Sequence, residues 1–380
     1  MLILLRKAVV FLLSLTIFIS AIPVLGEPLT PEVKSAILME SSTGTVLYEQ
    51  NADEHLPIAS VTKIMTMLLI MERIDSGALS FDDMVTVSEN AMSYGGSTMF
   101  LEAGETLSVH DMMKGIAVAS ANDGCVAMAE HIAGSESAFV EMMNNRAKEL
   151  GMVNTVFLNT NGLDAEGQYS SARDVAIMSR ELIKHEKVFE YTKIWTDSLR
   201  DGKFELANTN RLVRFYSGAT GLKTGSTSQA GCCLSATAER DGMALIAVVL
   251  GAPNTKTRFA SATTLLNHGY SGYSVKKQVE KGEPTGLVNV LKGTQKELKT
   301  EAADNFSTLT TKVNPRNVEK SVVFADTVYA PINQGDKVGE IVFSEDGKEI
   351  YKVDIVASES VKKKGFHLVL TDMLHSLLYV

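Results

Sequence analysis

The chain carries the stretch LPIASVTKIMT at residues 56–66, in which Ser60 precedes Lys63 by three positions. Positions i and i+3 share one face of a helix, so the Lys63 amine can reach the Ser60 hydroxyl. A serine hydroxyl attacks poorly until a base removes its proton, so the pair is a candidate nucleophile with its base. Apolar residues at helical spacing predict that this helix covers Ser60–Ile74; they are Ile64, Met67, Leu68 and Met71.

Two further motifs follow in chain order, Ser120-Ala121-Asn122 and Lys223-Thr224-Gly225. The first two of the three motifs are weak signals when taken singly. The Ser-x-x-Lys spacing recurs at Ser274–Lys277 and Ser360–Lys363, and Ser-x-Asn recurs at Ser88–Asn90, whereas Lys-Thr-Gly occurs once. Context strengthens the set, because the first motif starts a helix, the second interrupts a helical region and the third lies on a predicted strand.

The motif residues suit acyl transfer. A lysine acts as a base only when its pKa falls, through burial or a nearby cation, and Lys223 is a candidate for that cation. The helix start at Ser60 offers backbone N–H groups to the attacked carbonyl, and the Ser226 N–H on the strand completes an oxyanion hole. Gly225 leaves room where substrate approaches the strand closely.

In the second motif, Ser120 is placed to relay protons and Asn122 to bond a substrate amide. A structural interpretation competes with all of these roles: Ser60 is a helix N-cap, Lys63 a solvated helix lysine and Asn122 a loop residue. For one motif alone that interpretation is favoured. Three motifs in order, each in a matching context, favour the catalytic interpretation, because together they form a known catalytic signature.

The chain resembles the low-molecular-mass penicillin-binding proteins, specifically the serine-type D-Ala-D-Ala carboxypeptidases of the penicillin-binding protein 5 type. The resemblance implies an α+β penicillin-binding/beta-lactamase-like catalytic domain, with an antiparallel sheet flanked by helices. A small all-β sandwich domain and a C-terminal amphipathic helix are expected to follow. The stretches that carry the resemblance are residues 56–66, Ser120-Ala121-Asn122-Asp123, Asn161-Gly162-Leu163-Asp164, Ser171-Ala172-Arg173-Asp174 and Gly221-Leu222-Lys223-Thr224-Gly225-Ser226-Thr227.

The resemblance also implies roles for the motif residues. The first serine of that family forms the acyl-enzyme and its lysine is the base, and these positions are Ser60 and Lys63. The serine and asparagine of the second motif, here Ser120 and Asn122, assist. The lysine of the third motif binds the substrate carboxylate. At Ser226 some relatives have a larger residue. The implied substrate-binding residues are Lys223, Thr224, Gly225 and Ser226.

The implied reaction removes the terminal D-alanine from peptidoglycan pentapeptides. Beta-lactams would acylate Ser60, because they mimic the D-Ala-D-Ala dipeptide. A transpeptidase, an endopeptidase and a beta-lactamase are the alternatives among enzymes, although no convincing deacylating base for a beta-lactamase is evident. A catalytically idle wall-binding or penicillin-sensing protein is the alternative from another class, and the intact set of Ser60, Lys63 and Lys223 argues against it.

The two ends of the chain indicate export and a membrane surface. Residues 1–26 combine a basic start, an apolar run and a small final residue, which is typical of a cleavable secretory signal; an uncleaved anchor is the alternative. Residues 362–380 begin with three lysines and continue as an amphipathic stretch too short to span a bilayer. This predicts an in-plane anchor at the outer face of the cytoplasmic membrane, against the alternative of a helix packed on the β-domain.

Between these ends, the pattern predicts a catalytic domain over 27–273, a small all-β domain over 274–359 and an anchor helix over 360–380. The net charge of −9 argues against nucleic acid as a partner. No cofactor is implied, and the histidines form no HExxH pair that would indicate a catalytic metal. The sparse, odd set of cysteines, Cys125, Cys232 and Cys233, is interpreted as small packing residues without disulfides.

Helical and alternating patterns predict further elements. The predicted helices are Asp111–His131 (with the second motif inside it), Glu136–Leu150, Ser171–His185 and Arg258–His268. The predicted strands are Lys34–Met39, Thr45–Glu49, Gly221–Thr227, Cys232–Glu239, Met243–Gly251, Gly286–Leu291, Ser321–Phe324, Lys337–Phe343 and Ile350–Ile355.

Overall fold

The computed structural model describes residues 28–325 and 327–371, so the predicted signal segment and residues 372–380 of the predicted anchor helix lie outside the described residues. The strands that precede residue 273 are β1 Ser35–Glu40, β2 Val46–Gln50, β3 Met84–Thr86, β4 Thr106–Ser108, β5 Thr196–Leu199, β6 Phe204–Ala207, β7 Ala219–Thr227, β8 Gly231–Arg240 and β9 Met243–Ala252. The α-helices are α1 Lys63–Asp75, α2 Glu89–Met92, α3 Val109–Lys114, α4 Asn122–Ala133, α5 Glu136–Glu149, α6 Ala172–Leu182, α7 Phe189–Thr192, α8 Leu212–Phe215 and α9 Thr255–Gly272.

A five-stranded antiparallel sheet in the order β2-β1-β9-β8-β7 is the centre of this part. Side chains alternate across strand β1, so Ile37 and Met39 enter one apolar core while Ala36 and Leu38 enter another. Helices α1 and α6 pack in the first core and α9 in the second. The predicted antiparallel sheet flanked by helices is confirmed.

The predicted helix at Ser60 is present but has two forms. Ala59–Thr62 is a turn of 3₁₀-helix, and the α-helix α1 begins only at Lys63. Every residue from Lys63 to Met71 is buried, so α1 runs through the core. The serine at its entrance is therefore held by a rigid element rather than by a surface loop.

The predicted break in the second helical region is also present. Helix α3 passes into a π-helical turn, Gly115–Ala119, which ends at Ser120. Ser120 has left-handed backbone (φ 64°), an uncommon conformation for a residue with a side chain. Helix α4 then starts at Asn122, so the second motif occupies the corner between two helical segments.

The hairpin of β5 and β6 was not predicted. Its strands are short, with the sequences TDSL and FELA, and they show no clear alternation of apolar and polar residues. Long-range contacts hold its turn: Arg200 donates to the Glu105 carboxylate at 2.6 Å and to the Met99 carbonyl at 2.9 Å. Such contacts leave no local periodicity in the sequence.

The chain beyond α9 forms β-structure, as predicted. A six-stranded sheet has the order β14-β16-β17-β12-β11-β15, and β10 pairs with β13. Phe306 of this pair lies 4.6 Å, centroid to centroid, from Phe343 of the larger sheet, so the two sheets share one apolar core. The strands are β10 Tyr273–Val279, β11 Pro284–Leu291, β12 Glu297–Ala302, β13 Phe306–Thr311, β14 Val318–Phe324, β15 Val328–Tyr329, β16 Lys337–Glu345 and β17 Lys348–Ala357.

The cysteines are free, as predicted: Cys125 and Cys233 are buried and Cys232 is half-buried. Of the helix predicted over 360–380, residues 366–371 are helical, whereas Val361 and Lys363 form β-bridges with Ile332 and Gly293, so the prediction is wrong for this first part. Among the described helices, none is long and apolar enough to cross a membrane.

Candidate active site

The Lys63 amine meets the Ser60 hydroxyl at the entrance of α1. Lys63 Nζ donates to Ser60 Oγ at 2.9 Å. Residues three apart eclipse each other in a 3₁₀-helix, so the turn at Ala59–Thr62 places one side chain over the other. Lys63 has 0% exposure, which contradicts the interpretation of a solvated helix lysine. The N-cap interpretation of Ser60 is also wrong, because Thr62 holds that position of α1.

Two carbonyl oxygens complete the surroundings of the amine. Lys63 Nζ donates to Asn122 Oδ1 at 2.7 Å and to the Asn161 carbonyl at 2.5 Å. A neutral lysine amine has two N–H bonds and one lone pair. The charged amine donates to Ser60 Oγ and to both carbonyls, whereas in the neutral amine the two carbonyls take both N–H bonds and the lone pair is left for the Ser60 hydroxyl. Asn122 is buried in the first turn of α4, so the loop interpretation of this residue is wrong.

Burial makes Lys63 a usable base. Removal from water lowers the pKa of Lys63 to about 8, and the nearby Cys125 and Asp123 oppose that shift. Burial, followed by the charge of Lys63, places the pKa of Lys223 well below its ordinary value. Of the two routes predicted for activating Lys63, burial is therefore the one that acts on it most.

Several hydrogen bonds fix the segment that carries Asn122, which forms one wall around the Lys63 amine. Its Nδ2 donates to the Gly95 carbonyl at 2.8 Å, and its backbone N–H donates to the Ser97 carbonyl at 2.7 Å. The buried carboxylate of Asp123 accepts the backbone N–H of Met99 at 3.1 Å. The loop before α3 is thus bonded to the second motif, and Asn122 has little freedom to leave Lys63.

The loop that carries Asn161, a second wall around the amine, can take its position only with a glycine at residue 162. Thr66 Oγ1, one turn after Lys63, donates to the Thr160 carbonyl at 2.6 Å. Gly162 has φ +86°, and a Cβ added there would lie 1.9 Å from the Ala59 carbonyl oxygen. The loop can therefore approach the 3₁₀ turn closely only because residue 162 lacks a side chain.

Strand β7 forms the third wall. A Cβ at Gly225 would lie 2.7 Å from the Ile58 carbonyl oxygen and 2.9 Å from the Ser60 nitrogen. The close approach at Gly225 is therefore with the backbone of the serine turn, whereas the sequence predicted room for substrate. Lys223 is buried, and its Nζ donates to the Thr224 carbonyl at 3.0 Å. Ser226 is exposed beside this wall.

The structure brings most predicted residues to one place. Ser60, Lys63 and Asn122 are joined by hydrogen bonds, and the strand with the third motif lies against the serine turn. Ser120 is buried, two residues before Asn122.

Sequence reasoning missed several contributors. Asn161 acts through its backbone carbonyl, for which the Asn161-Gly162 pair was the available signal. Arg258 on α9 donates to the Gly225 carbonyl at 3.2 Å, and Thr209 and Thr224 join through their hydroxyls at 2.6 Å. In each contact one partner belongs to the third motif, but the other, Arg258 or Thr209, lies outside it in the sequence, so no local signal marked that partner.

Two models of known protein families match this chain. A family model described as D-alanyl-D-alanine carboxypeptidase matches residues 25–254. A second model, described as penicillin-binding protein 5, C-terminal domain, matches residues 273–363.

Individual proteins are similar over most of the chain. D-alanyl-D-alanine carboxypeptidase DacF of Bacillus subtilis is 47% identical over 342 residues, which cover 89% of this chain and 88% of the relative. Penicillin binding protein 5 from Haemophilus influenzae has a similar structure, with a TM-score of 0.70 and 32% identity over 87% of this chain and 98% of that one. Penicillin-Binding Protein D2 from Listeria monocytogenes, solved in an ampicillin bound form, has a TM-score of 0.55 and 35% identity over 63% of this chain and 98% of that one.

Replacement of Gly162 tests whether the Asn161 wall needs its close approach. Gly162→Ala is expected to lower the free energy of unfolding by about 2–4 kcal/mol more than Gly167→Ala, measured by thermal or denaturant unfolding. Gly167 is the matched control, because its φ is also positive (+90°) but the nearest atom to an added Cβ is 3.8 Å away. Equal losses for the two variants would contradict the proposed importance of the contact with Ala59.

Proposed function

Since this chain belongs to the D-alanyl-D-alanine carboxypeptidase family, we propose that it removes the terminal D-alanine of peptidoglycan pentapeptides through an acyl-enzyme on Ser60. It is accordingly a hydrolase of the serine peptidase type. The observation that carries the proposal is the buried Lys63 amine, which lies 2.9 Å from Ser60 Oγ while two carbonyls hold its N–H bonds. A hydroxyl beside a desolvated base is the arrangement that acyl transfer through a covalent intermediate needs.

In the acylation step, neutral Lys63 takes the proton of Ser60 as Oγ attacks the carbonyl between the two D-alanines. The oxyanion that forms accepts hydrogen bonds from the backbone N–H groups of Ser60 and Ser226. The C–N bond then breaks, and the proton passes from Lys63 to the departing amine of D-alanine. Ser120 is the proposed relay for this transfer, because it lies two residues before Asn122, whose side-chain carbonyl accepts a hydrogen bond from the Lys63 amine.

In the deacylation step, water attacks the ester carbonyl and gives its proton to Lys63. The ester C–O bond breaks, Ser60 Oγ recovers a proton and the shortened peptide leaves with a free carboxylate. Lys63 is again neutral, so the cycle can repeat without a cofactor. Beta-lactams are proposed to acylate Ser60 by the same route, which is supported by the ampicillin bound form of the Listeria relative.

Strand β7 is the proposed substrate-binding wall. The substrate carboxylate is assigned to Lys223, assisted by Thr224, Gly225 and Ser226. A carboxylate arriving beside Lys223 would favour its charged form, which burial disfavours in the free enzyme. Arg258 braces the wall from behind through the Gly225 carbonyl.

Labelling with a fluorescent penicillin tests the nucleophile. Ser60→Ala is expected to abolish both the covalent label and the release of D-alanine from a D-Ala-D-Ala pentapeptide, because the hydroxyl bonded to the buried Lys63 amine is then gone. Ser274→Ala is the matched control, since Ser274 also precedes a lysine by three positions but lies on β10. Full labelling of the Ser60→Ala chain would show that another residue is the nucleophile.

The pH dependence of acylation tests the base. The protonated amine of Lys63 has no lone pair, so the acylation rate is expected to rise with pH through about 8. Below that pH the rate should fall about tenfold per unit. The measurement is the second-order rate of penicillin labelling between about pH 6 and pH 10. A flat profile over this range would refute Lys63 as the base.

We also propose that the protein is exported and that its C-terminal helix holds it at the outer face of the cytoplasmic membrane. The proposed segments are a signal over 1–26, a catalytic domain over 27–273, a β-domain over 274–359 and an anchor over 360–380. The first helical turn of the anchor supports the proposal, because its apolar side chains face solvent instead of packing on the β-domain. They are Phe366, Leu368, Val369 and Leu370, with exposures of 83%, 51%, 41% and 42%.

Removal of the anchor tests this location. A chain that ends at Glu359 is expected to leave the membrane fraction on cell fractionation, because its amphipathic helix and the three lysines are gone. Penicillin labelling of the shortened chain is the control that its catalytic domain is folded. Retention of the labelled, shortened chain in the membrane fraction would contradict the proposed anchor.

A further inference from the structure

One carboxylate outside the motifs bonds to both sides of the active site. Glu136 is the first residue of α5, after the N-cap Ser135. Its Oε1 accepts the backbone N–H of Thr160 at 3.2 Å and the Thr160 hydroxyl at 2.8 Å. Its Oε2 accepts the hydroxyl of Tyr94.

Each residue bonded to Glu136 is followed in the sequence by a residue that helps to position a carbonyl acceptor of the Lys63 amine. Thr160 precedes Asn161, whose carbonyl accepts from Lys63 Nζ at 2.5 Å. Tyr94 precedes Gly95, whose carbonyl accepts from the side chain of Asn122 at 2.8 Å. The Glu136 carboxylate is therefore a bridge between the two segments that set the positions of the amine's carbonyl acceptors.

We propose that Glu136 is a positioning residue, which keeps the Asn122 and Asn161 carbonyls at hydrogen-bonding distance from Lys63 and water away from the amine. The inference rests on the roles proposed above for Ser60 and Lys63. Glu136 itself touches no reacting atom, and it acts through Tyr94 and Thr160.

Hydrogen bonds, rather than charge, transmit this effect. The titratable groups that face Lys63 are Asp123 and Cys125 on α4 and Lys223 on β7. Glu136 faces Tyr94 and Thr160, its charge also acts on Cys125 although not on Lys63, and Glu130 adds negative charge near Tyr94. Burial and then the bond to Glu136 raise the pKa of Tyr94 to about 12, so its hydroxyl stays protonated and continues to donate while Lys63 titrates.

Loss of the bridge has a defined consequence for the base. When the two segments separate, water reaches Lys63 Nζ and the charged amine is again solvated. Less burial means that the pKa of Lys63 moves up from about 8 toward its ordinary 10.5. Acylation then needs a higher pH, although the maximal rate at high pH changes little.

The test is the pH profile of penicillin acylation in the full chain. Glu136→Ala is expected to shift the rising limb to higher pH by about half a unit or more, with the rate at about pH 7 reduced roughly threefold or more and the rate at about pH 10 nearly unchanged. Glu136→Gln should restore the wild-type limb, because an amide still accepts from Thr160 and bonds to Tyr94. Glu141→Ala is the matched control, an exposed acid on the same helix.

Tyr94→Phe provides a second variant if Glu136→Ala does not fold, and it should shift the limb in the same direction by a smaller amount. A uniform fall in rate at every pH, or a Gln variant that behaves like the Ala variant, would overturn the positioning role. The wild-type profile separates this inference from the proposed function. If the wild type shows no rising limb, the assignment of Lys63 as base fails. If the wild type shows the rising limb but the variants do not shift it, the proposed role of Glu136 fails.

Discussion

A lysine amine that is held out of water without a carboxylate partner is the constraint on which this site depends. Among the residues that the structure describes, the hydrogen-bond partners of Lys63 are one hydroxyl and two carbonyl oxygens. A carboxylate in place of either carbonyl would stabilise the ammonium form and remove the base at neutral pH. A carbonyl oxygen accepts a hydrogen bond from the charged or the neutral amine, so it positions Lys63 without fixing its protonation state.

The fold meets this constraint by bringing three separate segments against one 3₁₀ turn. Helix α1 carries the amine into the core, the Asn161 loop and the second motif supply the carbonyls, and β7 closes the remaining side. The approaches are so short that Gly162 and Gly225 have no space for a side chain. Backbone packed against backbone leaves little room for water, and this exclusion maintains the low pKa of Lys63.

Residue types that perform chemistry could be predicted from the sequence, whereas the groups that hold them in place could not. The spacing of Ser60 and Lys63, and the helical periodicity after them, predicted both the pair and the helix, although not the burial of that helix. The roles of Asn161 and Glu136 depend on contacts over 98 and 24 positions of sequence, with one of them made by a backbone carbonyl. Every residue has such a carbonyl, so its identity gives no signal.

The burial of Cys125 has a consequence for redox chemistry. The thiol lies close enough to the site for the charges of Lys63 and Lys223 to favour its thiolate, yet burial dominates and raises its pKa to about 12. Thiolates, and not thiols, react with oxidants and electrophiles, so Cys125 stays inert beside an activated hydroxyl. The protein thus retains a sulfur atom as core packing, and this thiol does not compete with Ser60 for an acyl group.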